Sequence, residues 1–369
     1  MEPPRCADYV LKLPHDLIEE ILIRLPPLEP SYLVRASLVC KPWRRLISSP
    51  SFLRRYRVFH RTPPMLGVIH SGGELSDHDS RFVPTTSRSP IEPCYLRWWP
   101  LDCRHGRALF SNNLCFIDGF SLVVWDPMTD GRRGLHEPGI PYTRSTAAVL
   151  CAAGDGCDHL ACQGGPFLVV FVGTNDREDI ARACVYSSET GEWSAPASVQ
   201  LNCDVDIKPS VLVGGAVYFL CSCSHEIIRY DLAKQVLTVV DRPPEEYDDI
   251  VLVAAEGGGL ALACLDDDVH PHCNGIYVWS MEAVGWVRRG GVIDIRSMLI
   301  PPQDPVHALC LLGSAEGTDS ILLDTDHGVF AVNLRSGKVG KKVCERGSFY
   351  AIFPYMSFCT PGVLSDSHP

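Results

Sequence analysis

The feature that most limits how this chain can fold is a doublet that returns five times along it. Trp125-Asp126, Tyr186-Ser187, Tyr230-Asp231, Trp279-Ser280 and Val332-Asn333 each place a large apolar residue before a turn-forming polar one. Seven residues after each apolar member stand Arg132, Trp193, Leu237, Trp286 and Val339. Gly131, Gly191, Gly285 and Gly337 lie between them in four of the five copies. Asp, Ser or Asn opens a turn by bonding its own backbone, and glycine accepts the positive φ at its end. Each copy therefore reads as a β-hairpin with two large residues packed across it.

The copies begin 61, 44, 49 and 53 residues apart, and strand-like runs precede each hairpin. In the third copy these runs are Ser210–Val213 and Ala216–Leu220, joined through Gly214-Gly215. Three or four strands in about 50 residues, repeated five times or more, is the arithmetic of a β-propeller. Phe349–Cys359 and Met65–Ile69 can share one blade, which would close the ring, remove the exposed edges and give six blades. A pair of β-sandwiches is the alternative arrangement of the same strands.

Upstream of Arg61-Thr62-Pro63-Pro64 the pattern is helical. Pro14 suits a first helical position, and Leu17, Ile18, Ile21, Leu22 and Leu25 follow at helical spacing until Pro26-Pro27 stops them. A second segment starts near Pro30-Ser31 and carries Tyr32, Leu33, Ala36, Val39 and Cys40. Pro42 interrupts it, and Trp43, Leu46 and Ile47 form a short third turn. Ser49-Pro50 reads as cap and first residue of a helix with Phe52, Leu53 and Tyr56. So short a segment encloses little core by itself. Its first helix is nonetheless apolar at 17, 18, 21, 22, 23 and 25, a stripe wider than one flank of a small bundle needs. Either the rest of this chain or another protein covers the excess.

The runs Leu13-Pro14-His15-Asp16-Leu17-Ile18-Glu19-Glu20-Ile21-Leu22, Arg24-Leu25-Pro26 and Arg35-Ala36-Ser37-Leu38-Val39-Cys40-Lys41-Pro42-Trp43-Arg44-Arg45-Leu46-Ile47 resemble an F-box, in order and at family spacing. Val185–Trp193 looks like the closing half of a kelch blade, and Gly214-Gly215-Ala216-Val217-Tyr218 like its double-glycine half. The whole resembles plant-type F-box proteins with a kelch-like or F-box-associated β domain. That resemblance implies an α+β multidomain chain. A flexible tail would occupy 1–9, a helical F-box 10–60, a hinge 61–64, and a degenerate propeller of about six blades 65–369. It also implies a Skp-type adaptor and, through it, a cullin scaffold of an SCF ubiquitin ligase, with the β domain holding a protein target. By the same resemblance Leu13, Pro14, Ile18, Ile21, Leu22, Leu38, Val39, Cys40, Trp43 and Leu46 belong to the adaptor interface or its supporting core. The competing readings are an F-box scaffold outside any ligase, and a glycan-binding or enzymatic propeller with a helical extension.

Charge divides the chain in the same place. Residues 1–61 hold 11 basic and 6 acidic side chains, and the remainder holds 22 and 38. The acidic majority argues against nucleic-acid binding by the large part. The seven basic residues between 41 and 61 read as the solvated face of the last helices. The longest near-apolar run, Val211–Cys223, has 13 residues, too few to cross a bilayer, and no membrane partner is expected. With no signal-peptide pattern, no Asn-x-Ser/Thr site and 17 scattered cysteines, a reduced intracellular location in cytoplasm or nucleus is expected.

No Gly-x-Ser-x-Gly, His-Glu-x-x-His, phosphate-loop or dinucleotide pattern occurs, so neither catalytic residues nor a cofactor are expected. Gly257-Gly258-Gly259 reads as a strand-to-strand turn. Three His/Cys groups carry the residue types of metal ligands: Cys221, Cys223 and His225; Cys157, His159 and Cys162; His270, His272 and Cys273. Zinc needs a fourth ligand or a water, and no nearby pair supplies one, so no metal site is expected. Asp266-Asp267-Asp268 reads as a solvated loop tip.

Overall fold

The computed structural model describes residues 13–71, 80–86, 89, 91–112, 121–153, 157–222, 225–245, 247, 249–255, 257–265, 275–295 and 309–360. Among the described residues four helices come first: α1 (His15–Leu22), α2 (Pro30–Val39), α3 (Lys41–Ile47) and α4 (Pro50–His60). Prolines punctuate them. Pro14 sits one residue outside α1, at the cap, rather than at its first helical position. Pro30 and Pro50 open α2 and α4, where a missing N–H costs nothing. The Ser49 hydroxyl accepts the Phe52 N–H at 3.3 Å and caps α4 as the sequence predicts.

After Pro64 the described residues form strands and the turns and connections between them. The described strands form six sheets, five of four strands and one whose outer edge is split in two. Five sheets follow chain order from inside to outside, beginning with the inner strands Trp99–Arg104, Arg144–Cys151, Val211–Val213, Asp249–Ala254 and Cys310–Ala315. The remaining sheet, counted as the first blade in chain order, is composite. Its inner strand, Ile352–Met356, comes from the end of the chain and pairs antiparallel with Met65–Ser71 from the start of the β part. This closes a six-bladed ring, and the inner strand edges face the central channel rather than outside solvent. Neighbouring blades share apolar layers; Val172 and Ala183 of the third blade pack with Phe219 and Ile228 of the fourth.

The repeating hairpins are the third and fourth strands of the blades. Trp125 faces Arg132, Tyr186 faces Trp193, Tyr230 faces Leu237 and Val332 faces Val339 across the ladder. The fifth blade departs by two positions, with Trp279 opposite Arg288 and Trp286 opposite Met281. There the turn is only Ala283-Val284, and the shorter connection shifts the register. Gly214 and Gly215 form the turn between the first two strands of the fourth blade, with φ of +56° and +75°.

The inner strands run in one direction, so Arg104, Cys151, Val213, Ala254, Ala315 and Met356 end at one mouth of the ring. The helices stand at that same mouth. Ser357 donates its N–H to the Pro64 carbonyl at 3.2 Å, and Phe358 enters the helical core.

Candidate functional site

The two flanks of α1 have opposite fates. Ile18 and Leu22, four residues apart, are buried with Ile23, Leu33, Ala36, Ile47, Phe52 and Tyr56. Leu17 and Ile21, equally spaced, are 51% and 53% exposed. At the C-terminal end of α2 the exposure is greater, with Leu38 at 74% and Val39 at 58%. An exposed apolar residue by itself is ordinary, but a run of them along two adjoining elements marks a surface awaiting a partner. The inner flank is held by polar contacts as well. Arg55 of α4 pairs with Glu19 at 2.5 Å and Glu20 at 2.9 Å on α1. Tyr56 donates its hydroxyl to the Leu25 carbonyl at 2.8 Å.

The ten residues singled out from the sequence divide accordingly. Leu13, Pro14, Ile21, Leu38 and Val39 lie outward. Cys40, Trp43 and Leu46 are half-buried, the last two against the core. Ile18 and Leu22 are core. Outward residues absent from that set are Leu17, Leu28, Tyr32, Val58 and Phe59. Leu17 shares α1's periodicity with the set. Val58 and Phe59 lie on α4, whose helical register alone separates them from the buried Phe52 and Tyr56. The basic residues Lys41, Arg44, Arg45, Arg54 and Arg55 are exposed, as a solvated face requires.

The inner flank is covered by this chain itself. Phe358 joins the helical core, and Leu160, from the connection after the third blade's inner strand, packs beside it. Beneath them lies a cavity of about 380 Å³, lined by Arg61–Pro63, Phe358 and the ends of the inner strands. Its floor is a charged crossing of the ring. Arg104 of the second blade donates to the Ser210 carbonyl at 2.8 Å, and its guanidinium lies 3.3 Å from Glu316 of the sixth blade and 3.4 Å from Asp102. His105 sits 3.3 Å from Glu316, and its Nδ1 accepts the Cys151 N–H at 3.1 Å. Burial raises the Asp102 carboxyl to about 6, against the pull of Arg104. Burial also works against the Glu316 carboxylate, but His105 and Arg104 hold it below the usual range. The crossing links the second, third, fourth and sixth blades.

One His/Cys trio from the sequence is brought together here. Cys157, His159 and Cys162 converge with Cys151, the last residue of an inner strand, and their ligand atoms all lie within 4.8 Å of one another. The missing fourth ligand was a strand cysteine six residues upstream, indistinguishable in sequence from other buried thiols. Burial and the Cys151 and Cys157 thiols push the Cys162 thiol up to about 12. The second trio is not assembled among the described residues: Cys221 is buried with Cys203 as its sulfur neighbour, and Cys223 lies outside them. The third trio and Asp266–Asp268 also lie outside the described residues. Gly257 and Gly258 turn between two strands of the fifth blade, with φ of +89° and +81°.

Comparison with known proteins bears on the helices first. Residues 10–55 match the F-box domain. An F-box protein of Arabidopsis thaliana is 29% identical over 193 residues, covering 49% of this chain and 46% of that protein. Two F-box/kelch-repeat proteins of the same plant are each 24% identical. One aligns over 242 residues (60% of this chain, 58% of that protein) and the other over 305 residues (75% and 78%). The chain thus spans about half the length of the first two relatives. A crystal structure of a nidogen/laminin complex gives a TM-score of 0.43 at 10% identity, over 79% of this chain and 99% of that chain, too slight a likeness to inform function. The helical module is an F-box domain, and the chain is similar to plant F-box/kelch-repeat proteins, with the described strands of its C-terminal part forming a six-bladed propeller.

Proposed function

We propose that this chain is the substrate-recognition subunit of an SCF-type ubiquitin ligase. Its F-box would dock a Skp-type adaptor, and through it a cullin, while the propeller holds a protein target. The observation that carries this reading is the split of the F-box. Its inner flank is filled by the chain's own Phe358 and Leu160, while Leu17, Ile21, Leu38 and Val39 remain exposed. Catalysis would lie in other subunits, and this chain would raise the effective concentration of target lysines near a ubiquitin carrier. It would work inside the cell, in cytoplasm or nucleus.

The same geometry favours one propeller mouth for the target. The F-box and residues 61–63 stand over the mouth where the inner strands end. The opposite mouth carries the turn 176–179 and the connections 136–143, 201–210 and 345–351. Loops on a rigid scaffold are where recognition concentrates.

Co-purification of the full chain with a Skp-type adaptor and cullin tests the reading. Recovery of both, lost when Leu38 and Val39 become Asp, supports it. Recovery of the adaptor without cullin favours a scaffold outside a ligase. Failure to bind the adaptor with a folded F-box overturns it.

A further inference from the structure

We propose that Cys151, Cys157, His159 and Cys162 form a zinc site that clips the connection after the third blade's inner strand beneath the F-box. Tetrahedral zinc with Zn–S bonds of about 2.3 Å sets ligand atoms about 3.8 Å apart. Cys151 Sγ lies 3.8 Å from Cys157 Sγ, and Cys162 Sγ lies 3.7 Å from His159 Nδ1. Two opposite edges of the tetrahedron therefore already have the right length. The other separations, all under 4.8 Å, close with small side-chain rotations.

The donor set selects the metal class. Three sulfurs and an imidazole suit zinc and reject magnesium and calcium, which take oxygen. A disulfide between Cys151 and Cys157 would leave Cys162 and His159 converging on nothing. Binding to the thiol form is balanced by loss of three protons: Zn²⁺ with three thiolates and a neutral imidazole carries one net negative charge. A cation stands ready to meet that charge. Arg107 donates to the carbonyls of Cys162 at 2.7 Å and Gly165 at 2.6 Å, which sets its guanidinium beside this connection.

The surroundings hold the ligands as an outer shell would. The His159 ring stacks on His105 with centroids 4.0 Å apart and planes within 15°. His105 in turn accepts the Cys151 N–H. Leu160 stands between two of the ligands and packs into the F-box core, so the metal would fix the residue that seats the F-box on the propeller.

The test is metal content of the untagged full chain, expressed in a reducing cytosol and purified without chelator. One zinc per chain is expected, retained in Cys94→Ser and reduced to below about a tenth in Cys157→Ser/Cys162→Ser. Because the double variant can misfold, the unmodified chain is also loaded with Co²⁺; strong d–d absorption of tetrahedral, thiolate-bound cobalt is the second expected result. A folded wild-type chain without zinc and without that spectrum overturns the proposal. So does full zinc occupancy in the double variant, or a Cys151–Cys157 disulfide in the chain as isolated.

Discussion

Phe358, two residues beyond the last strand, meets Tyr56 of α4 edge to face, with ring centroids 6.2 Å apart and planes at 73°. The contact joins the two ends of the molecule. The F-box helices are too short a segment to bury their own core, and the missing apolar volume comes from the far end of the chain. The strand that closes the ring, Ile352–Met356, leads directly into the residue that completes the F-box. Ring closure and F-box seating are therefore coupled.

Phe358 is 2% exposed, and replacing it with Ala removes a buried aromatic from both modules. A cost of about 3–5 kcal/mol is expected, concentrated in the F-box. Hydrogen exchange of α4 amides should rise strongly, with little change in blades three and four. Equal protection in the variant would mean that the F-box core stands without the C-terminal segment.

Charge placed on the two flanks of α1 and α2 should give opposite results. Leu22→Asp puts a carboxylate where only 2% of the side chain is exposed, and loss of the F-box fold is expected. Leu38→Asp lies at a site 74% exposed and should leave stability within about 0.5 kcal/mol. Thermal unfolding of the two variants checks this directly. A destabilised Leu38→Asp would place that residue in the core.

A Cβ at Gly313 would stand 2.5 Å from the Ile352 carbonyl oxygen, on the seam between the sixth blade and the closing strand. Backbone cannot swing aside as a flexible side chain can. Gly313→Ala should cost about 1–3 kcal/mol. Gly191→Ala, with open space around its Cβ but a φ of +75°, should lose less, and by backbone strain alone. The denaturation midpoints of the pair separate packing from strain.

His70 gives the pH dependence. Burial, with Arg81 adding to it, lowers its imidazole to about 4, while the Ser71 backbone contact opposes. A base whose folded value lies below its unfolded one favours folding while neutral. That stability is fully present above pH about 6.5 and is lost as pH falls toward 4, by up to about 3 kcal/mol. The stability difference between wild type and His70→Gln should therefore shrink over that range on acidification. A difference that is flat with pH would rule out the titration of His70.

Much of the fold could be read from local spacing. The hairpin doublets came from turn chemistry and period-two patterning, which involve residues within one turn of each other. They failed in register only at the fifth blade, where the connection between strands is two residues long. The helical stripe of α1 was equally legible, but which flank faces outward was not, since Leu17 and Ile18 are both apolar and adjacent.

What the sequence alone determined, then, is the inventory: an F-box motif of short, proline-bounded helices, and a series of strand pairs that fits a propeller but leaves a pair of β-sandwiches open. Tertiary structure decided the pairings between distant parts: Ile352–Met356 with Met65–Ser71, Phe358 with Tyr56, and Cys151 with His159 and Cys162. The physical reason is range. Propensity, capping and turn geometry act over a few residues, whereas the choice of buried flank and the convergence of four ligands depend on burial that exists only once the ring has closed.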